Sequence, residues 1–510
     1  MFTVNVNRNN GLLDTIRFLI LIICRLVILL SQKDEIIAEQ ADQILELKVN
    51  LNATKRVFAP KNEKNATEEN ASNSANGKGK RKRGVQPGRK PRSRNIPEKL
   101  EEEKVEQDFE SVPLCTICQT PYQHVPAMDK ISHQLHILWK AIHQIITRKT
   151  YKKGCNCKGG KKIITAPPRE SVIKKSILTT STWVHLIIMK YMLSVPIYRY
   201  RQAMISLGFR LSAGTVENGF RKLGKLLMPV YKLMIAELRK SKNWNADETR
   251  WKVFEKIKGK ASFLWWLWVF ASSNVVVFVI DPSRSASVVE KVHDGVKRFI
   301  SADRYSAYEA MISKGILIAY CWVHLRRDFI NLQRLKEIKS HPGVGKWVDD
   351  WLSAIKMIFK INHQRLKTAS NEDFLRLTEK LRSITEKLRQ QDIDSLPFKF
   401  QKKILKSFKK RFKGYTLFID YPELPLHNNR SEQILKMAIN GRKNYLGNVA
   451  AESVAHTQIF LSIIATAKNN KVDPQLWLNQ YLDACARNDS KPLEGDQLEY
   501  CANKLMASNY

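Results

Sequence analysis

The sequence is short of acids. Against 86 Lys and Arg it sets only 48 Asp and Glu, a formal charge of +38 over 510 residues. So one-sided a balance points to a polyanionic partner, nucleic acid first and anionic membrane second. It argues, more weakly, against a small-molecule metabolic enzyme. Cysteine is sparse too: Cys24, Cys115, Cys118, Cys155, Cys157, Cys321, Cys485 and Cys501 are all there are. That excludes a disulfide scaffold and suggests a reducing compartment. Long apolar runs are nearly missing. The longest, FLILIICRLVILL at 18–30, falls short of the roughly 20 residues of a membrane span and contains Arg25. No small-residue cleavage site accompanies it, which argues against a secretory signal. Hydrophobic residues are not lacking. At 44% of the chain, with 11 Trp, they exclude a wholly disordered protein, and the length suits roughly two to four domains.

Ile16, Ile23, Leu30, Ile37, Ile44 and Leu51 recur every seven residues. Leu12, Leu19, Leu26 and Leu47 hold the companion position, interrupted by Lys33 and Gln40. A 3.5-residue repeat keeps one stripe facing a partner helix, so 1–51 reads as a coiled-coil oligomerisation helix. A membrane-associated or buried apolar helix is the alternative, because 18–23 are apolar all round. Residues 52–110 read as a linker. Within it KGKRKRGVQPGRKPRSR, 78–94, carries nine Lys and Arg and no acid. Lys80, Arg81, Lys82, Arg83, Arg89, Lys90 and Arg92 are candidates for phosphate or minor-groove contacts. The plainer reading is a solvated basic linker.

Residues 111–165 carry two short cysteine pairs, Cys115-x-x-Cys118 and Cys155-x-Cys157, the pattern of a structural Zn²⁺ site. The second gap is tighter than usual, and His124, His133 and His136 are substitute ligands; a decayed site and reduced core cysteines are the alternatives. Such a closed site would shape a fold and would not catalyse. Residues 166–240 read as helices. Tyr198–Ile205, a turn at 206–208 and a helix from Ser212, capped by Ser212 or Thr215, give the outline of a helix-turn-helix. Any helical hairpin shares that outline.

The character then changes. Strands are predicted at Trp244–Phe254, Phe263–Ala271, Val275–Ile280, Ile300–Asp303 and Ile316–Cys321, with helices at Ser285–Phe299, Tyr305–Lys314 and from about His324. Three consecutive strands followed by alternating helix and strand imply a mixed sheet with helices on its faces. Asp247 lies inside the first strand and Asp303 closes the fourth. A carboxylate so placed is costly without a partner, and a divalent metal is one such partner. Two carboxylates on neighbouring strands plus a third from a helix can hold two Mg²⁺ ions for phosphoryl transfer. Each Asp alone also suits a turn or edge. Glu432, opening the helix within LPLHNNRSEQILKMAINGRKNYL at 424–446, is the third candidate, or simply an acid in a first helical turn.

These stretches together carry a resemblance. GRKP before the CxxC module, HLIIMKYMLSVPIYRYRQAMISLGFRLSAGTV, and then NADET, ADRYSAY, YCWVHLRRDF, HNNRSEQ and GRKNYL in order resemble the DDE-type transposases of the insertion sequence 66 family, over about residues 85–480. The resemblance implies a ribonuclease-H-like catalytic domain at 241–339 and 413–450, interrupted by a helical insertion at 340–412 and followed by a C-terminal helical region at 451–510. It implies Asp247, Asp303 and Glu432 as catalytic triad and ligands of two Mg²⁺ (or Mn²⁺) ions. It places His324, Arg326 and Arg327 near the scissile phosphate, adds Arg442 and Lys443 as DNA contacts, and leaves Trp322 a core role.

The expected protein is a cytoplasmic, nucleoid-associated transposase acting on element ends and target DNA. It is expected to be a homo-oligomer, with accessory proteins of the element as further partners and no membrane role. A decayed DNA-binding derivative and a nuclease that cuts without joining are the rivals. Four departures from the family pattern bear on decay: His427 before the Asn pair, Gln433 directly after the glutamate, Gly-Asn-Val-Ala after GRKNYL, and the compressed second cysteine pair; all three acids are retained.

Overall fold

A computed structural model describes residues 21–23, 25, 39–51, 117–119, 121, 126, 141–152, 163–256 and 262–507. The chain divides into two compact units, Arg56–His143 and Met1–Lys55 with Gln144–Tyr510. The basic tract 78–94 and Cys115, Cys155 and Cys157 lie outside the described residues. So does most of the heptad stretch. A short antiparallel hairpin, Thr150–Lys152 with Ile163–Thr165, flanks the segment carrying Cys155 and Cys157. Among the described residues no helix is long and apolar enough to cross a membrane.

The larger unit is a mixed α/β structure. Helix α1, Thr180–Ile187, runs into a π-helical turn at Ile188–Met192, followed by α2, Ile197–Ser206, and α3, Ala213–Lys240. The α2–α3 turn uses Gly208 at φ +80°, a conformation that costs glycine nothing. Ser212 caps α3, its hydroxyl accepting from Thr215 N at 3.0 Å. At 28 residues α3 is much longer than a recognition helix needs. Its apolar stripe runs from Val216 to Leu238 and buries into the common core.

Five strands follow: β1 Asn243–Val253, β2 Leu264–Ala271, β3 Val276–Asp281, β4 Arg298–Ala302 and β5 Ile316–Tyr320. Their order is β3-β2-β1-β4-β5. The first three pair antiparallel; β4 joins β1, and β5 joins β4, in parallel. Two expected helices are shorter than their sequence pattern. Helix α4 is Ala286–Val292 only, because Asp294 and Gly295 (φ +83°) turn the chain so that Arg298 can start β4. Tyr305–Lys314 breaks into a single turn, Ser306–Glu309, and a 3₁₀ turn ending at Gly315, φ +85°.

After β5 come α5, Trp322–Gln333, and the helices of the insertion: α6 Pro342–Arg365, α7 Asn371–Gln390 and α8 Lys399–Lys410. Helix α9, Phe412–Asp420, returns the chain to the sheet, and α10, Asn429–Tyr445, follows. A two-residue strand, β6 Gly447–Asn448, then pairs with the end of β1. A side chain at Gly447 would collide with the Lys252 carbonyl. Helices α11 Glu452–Asn469, α12 Pro474–Arg487 and α13 Gly495–Met506 close the fold.

Helix α11 seals the outer edge of β3. Three of its side chains, spaced four residues apart, take N–H groups on the edge of β3 that faces away from β2. Val276 N donates to Thr466 Oγ1 at 3.0 Å, Phe278 N to Ser462 Oγ at 2.8 Å, and Ile280 N to Gln458 Oε1 at 3.2 Å. An apolar helix thus carries one polar row whose period matches alternate strand residues.

Candidate active site

The parallel register of β1 and β4 pairs Asn245 with Ser301. Two residues further along each chain segment stand Asp247, inside β1, and Asp303, so both acids lie beside the C-terminal end of β4. Asp247 is buried, and its Oδ1 accepts from Glu248 N at 2.9 Å. Asp303 lies just past β4, with Oδ1 accepting from Tyr305 N at 3.0 Å.

Glu248, on the opposite face of β1 from Asp247, is also buried. It takes hydrogen bonds from Arg284 Nε at 3.2 Å and Nη2 at 2.6 Å, and from the Tyr308 hydroxyl at 2.8 Å. Burial and then the charge of Asp303 push its carboxyl above the usual range, against the pull of Arg284 and Tyr308. Burial, followed by Glu248, Asp303 and Asp247, pushes the Tyr308 phenol well above its ordinary value. Three carboxylates therefore act on one hydroxyl. Arg284 stacks its guanidinium 3.7 Å from the Tyr305 ring centre and 4.4 Å from that of Trp266.

Glu432 sits in the first turn of α10. Its Oε1 lies 3.3 Å from His324 Nε2 and its Oε2 3.8 Å from Arg327 Nη2, both on α5. The link between this helix and the aspartates is Asn428. That side chain is buried; its Nδ2 donates to the Ala246 carbonyl at 2.7 Å and its Oδ1 accepts from Asn245 Nδ2 at 3.1 Å. Its backbone N–H points at Cys321 Sγ, 3.3 Å away, and the Trp322 N–H donates to the Leu426 carbonyl at 2.9 Å. The start of α10 is thereby tied to β1 beside Asp247 and to the end of β5. Even so, among the described residues no three His, Cys, Asp or Glu side chains stand close enough to form a metal cluster. Glu432 is turned to His324 and Arg327.

Arg326 is half-buried on α5. Arg442 Nη1 donates inward, to Thr249 Oγ1 at 3.1 Å and to the Arg250 carbonyl, so it pins α10 to β1. Lys443 is exposed. Trp322 is core: its Nε1 donates to the Tyr415 carbonyl at 2.9 Å, and its ring packs on Tyr415, Phe408 and Phe418. Cys118 is exposed, while its three expected zinc partners, with Lys80, Arg81, Lys82, Arg83, Arg89, Lys90 and Arg92, fall outside the described residues.

Sequence reasoning missed Glu248, Asn428 and Tyr308. NADET contains two adjacent acids, and alternation alone says only that they face apart. The Asn pair before Glu432 reads as a helix cap, whereas Asn428 bonds across 182 residues of sequence. The Gly-Asn departure is well accommodated. Buried Asn448 accepts from Trp251 Nε1 at 2.7 Å and donates to Ser453 Oγ at 2.7 Å and Thr457 Oγ1 at 2.9 Å. Gln433 is exposed and disturbs no packing.

The family model described as Transposase IS66 family matches residues 175–455. Three proteins of Sinorhizobium fredii (strain NBRC 101917 / NGR234) are similar. Uncharacterized protein y4jD is 24% identical over 345 residues, covering 64% of this chain and 66% of its own length. Uncharacterized protein y4qI is 22% identical over 347 residues, 64% of this chain and 63% of its own. Uncharacterized protein y4hP is 22% identical over 318 residues, 58% and 57% respectively. The chain thus spans less than two thirds of the length of these relatives. No solved structure matches.

Proposed function

Because this chain belongs to the IS66 transposase family, we propose that it is the DDE transposase of an insertion sequence. It binds the terminal inverted repeats of its element, cuts one strand at each end, and joins the freed 3′-hydroxyl to target DNA. In this reading the six-stranded sheet is a ribonuclease-H-like core and Asp247, Asp303 and Glu432 are its triad. The observation that supports it best is the register: continued two residues beyond the Asn245–Ser301 pair it would bring Asp303 level with Asp247, and Asn428 fastens the helix of Glu432 to β1 at Ala246.

The donor set is carboxylate oxygen, which suits a hard cation such as Mg²⁺ or Mn²⁺. Two such ions, when bound, would neutralise the attacking and leaving oxygens of an in-line displacement. Asp247 on β1 and Asp303 just past the end of β4 are both anchored by the sheet, which fixes where the reacting phosphate sits. Glu432 completes the triad by turning from His324 and Arg327 toward the aspartates. His324 and Arg327, so released, donate to the non-bridging oxygens of the phosphate as charge develops there. In cleavage a water oxygen bonds to phosphorus, the P–O3′ bond breaks, and the leaving oxygen takes a proton. In joining, that 3′-hydroxyl attacks a target phosphodiester and releases a target 3′-hydroxyl. The basic tract 78–94 and the α2–α3 pair serve end binding.

Cleavage and strand transfer on duplexes ending in the element's inverted repeats test the proposal. Asp247→Asn, Asp303→Asn and Glu432→Gln are expected to lose both steps and to keep binding; continued cutting by any one removes that residue from the triad. Joined product from pre-cleaved ends separates a transposase from a nuclease. Absence of all metal-dependent cleavage in the unaltered protein would leave a DNA-binding derivative.

A further inference from the structure

Residues 399–413 hold seven Lys and one Arg and no Asp or Glu. On α8, Lys399, Lys403, Lys406 and Lys410 follow each other at four, three and four residues, which puts them on one helix face. The opposite face is buried through Leu405 and Phe408, and Phe408 packs on Trp322 and Trp351 with ring centres 6.0 and 5.1 Å apart. Lys413 follows in the first turn of α9.

Few of these charges are neutralised. Lys410 and Arg411 pair with Glu309, and Lys399 lies 4.0 Å from Glu46. Among the described residues Lys402, Lys403, Lys406, Lys409 and Lys413 have no ion-pair partner. Like charges three and four apart on a helix repel, and a face kept only for solubility mixes signs. A one-sided row suits a polyanion brought from outside. From Lys399 to Lys410 the helix rises about 16 Å, a length over which each strand of a duplex carries roughly five phosphates.

The residue type narrows the ligand. Lysine offers a compact point charge and no planar fork, so a row of lysines suits phosphate contacts better than base-edge readout. Such a surface suits DNA of arbitrary sequence better than a defined element end. Its place suits joining: Phe408 rests on Trp322, the first residue of α5, and α5 carries the His324 and Arg327 that hold Glu432. We propose that the lysine face of α8 holds target DNA, a duplex of no fixed sequence, while the element's 3′-hydroxyl is joined to it. The proposal rests on the transposase reading and extends it.

The test uses the full-length protein carrying Lys403→Gln, Lys406→Gln and Lys413→Gln together, and the same three positions changed to Arg. A labelled 30-base-pair duplex lacking the terminal repeats serves as target probe. The Gln variant is expected to bind it at least about tenfold more weakly at 150 mM salt. Its slope of log affinity against log salt should shrink by about 3, some 0.9 for each phosphate no longer neutralised. Strand transfer should fall alongside, while cleavage of repeat-bearing ends stays within about twofold. The Arg variant should match the unaltered protein. Unchanged probe binding and joining in the Gln variant overturn the proposal. An equal loss of end cleavage overturns the assignment to target DNA. Probe binding requires no catalysis, so a protein that binds through α8 but never cuts would sink the transposase reading and leave the surface standing.

Discussion

Strand β1 and helix α8 handle charge in opposite ways. On β1, Asp247 and Glu248 are buried side by side in sequence, and Glu248 is surrounded: two guanidinium nitrogens and a phenol serve one carboxylate. On α8 the charges are all of one sign, lie on the surface, and are mostly left to themselves. The sheet keeps its acids where geometry is rigid and water is scarce, and surrounds them with structure. The insertion keeps its lysines where geometry is loose and salt screens. The first arrangement fits chemistry at one atom; the second fits a long, repetitive ligand. The proposed metal-dependent cutting site and the proposed DNA-holding surface divide along that line.

The sharpest way to break the comparison is to change the two neighbours on β1 separately. Asp247→Asn should cost at least about 10³-fold in cleavage rate and leave the melting temperature nearly unchanged, consistent with loss of a group acting only in the reaction. Glu248→Gln should strand Arg284 and Tyr308 and cost about 2 kcal/mol of stability, discounted because Arg284 is 38% exposed. If Asp247→Asn mainly unfolds the protein and Glu248→Gln mainly stops cutting, the two roles are exchanged. Next in size is Asn428→Ala, which frees the start of α10 from β1. Single-turnover cleavage should fall about 10²-fold, as expected for displacement of a catalytic group by about 1 Å, with end binding intact. Undiminished turnover would mean that α10 is positioned without it. Thr466→Val with Ser462→Ala should lower stability by about 1–3 kcal/mol for each N–H left bare on β3, read by denaturant unfolding.

The smallest effect concerns pH. Burial, only partly offset by Glu217, lowers the pKa of His456 below its ordinary 6.5. The unfolded chain therefore takes up this proton first. Stability should be complete above about pH 6.5 and decline as pH falls below it. His456→Gln should flatten that part of a melting-temperature profile, and an unchanged profile would show that His456 does not set it.

Much of this was legible in advance. Apolar strands rich in Trp and Val stand out at 263–271 and 275–280, and the family motifs fall in order, NADET within β1 and ADRYSAY and YCWVHLRRDF at the ends of β4 and β5. Local patterns failed where a turn interrupts a helix-like stretch, as at Asp294-Gly295. They also failed where function depends on partners distant in the chain. Asn428 with Ala246, Glu248 with Arg284, and Glu432 with His324 and Arg327 are agreements between segments, and a single sequence carries no sign of which segments meet. The polar row of Gln458, Ser462 and Thr466 is visible as a four-residue period, but its purpose appears only once β3 lies against it.

That row has a consequence for how the chain is made. β3 leaves the ribosome about 170 residues ahead of α11, the helix that will cover it. At 5–20 residues per second the interval is roughly 10–35 s, during which an apolar strand edge stands open to any other extended chain. Products that terminate before residue 452 would stay in that state, and their fate would be aggregation or degradation rather than a shorter folded protein.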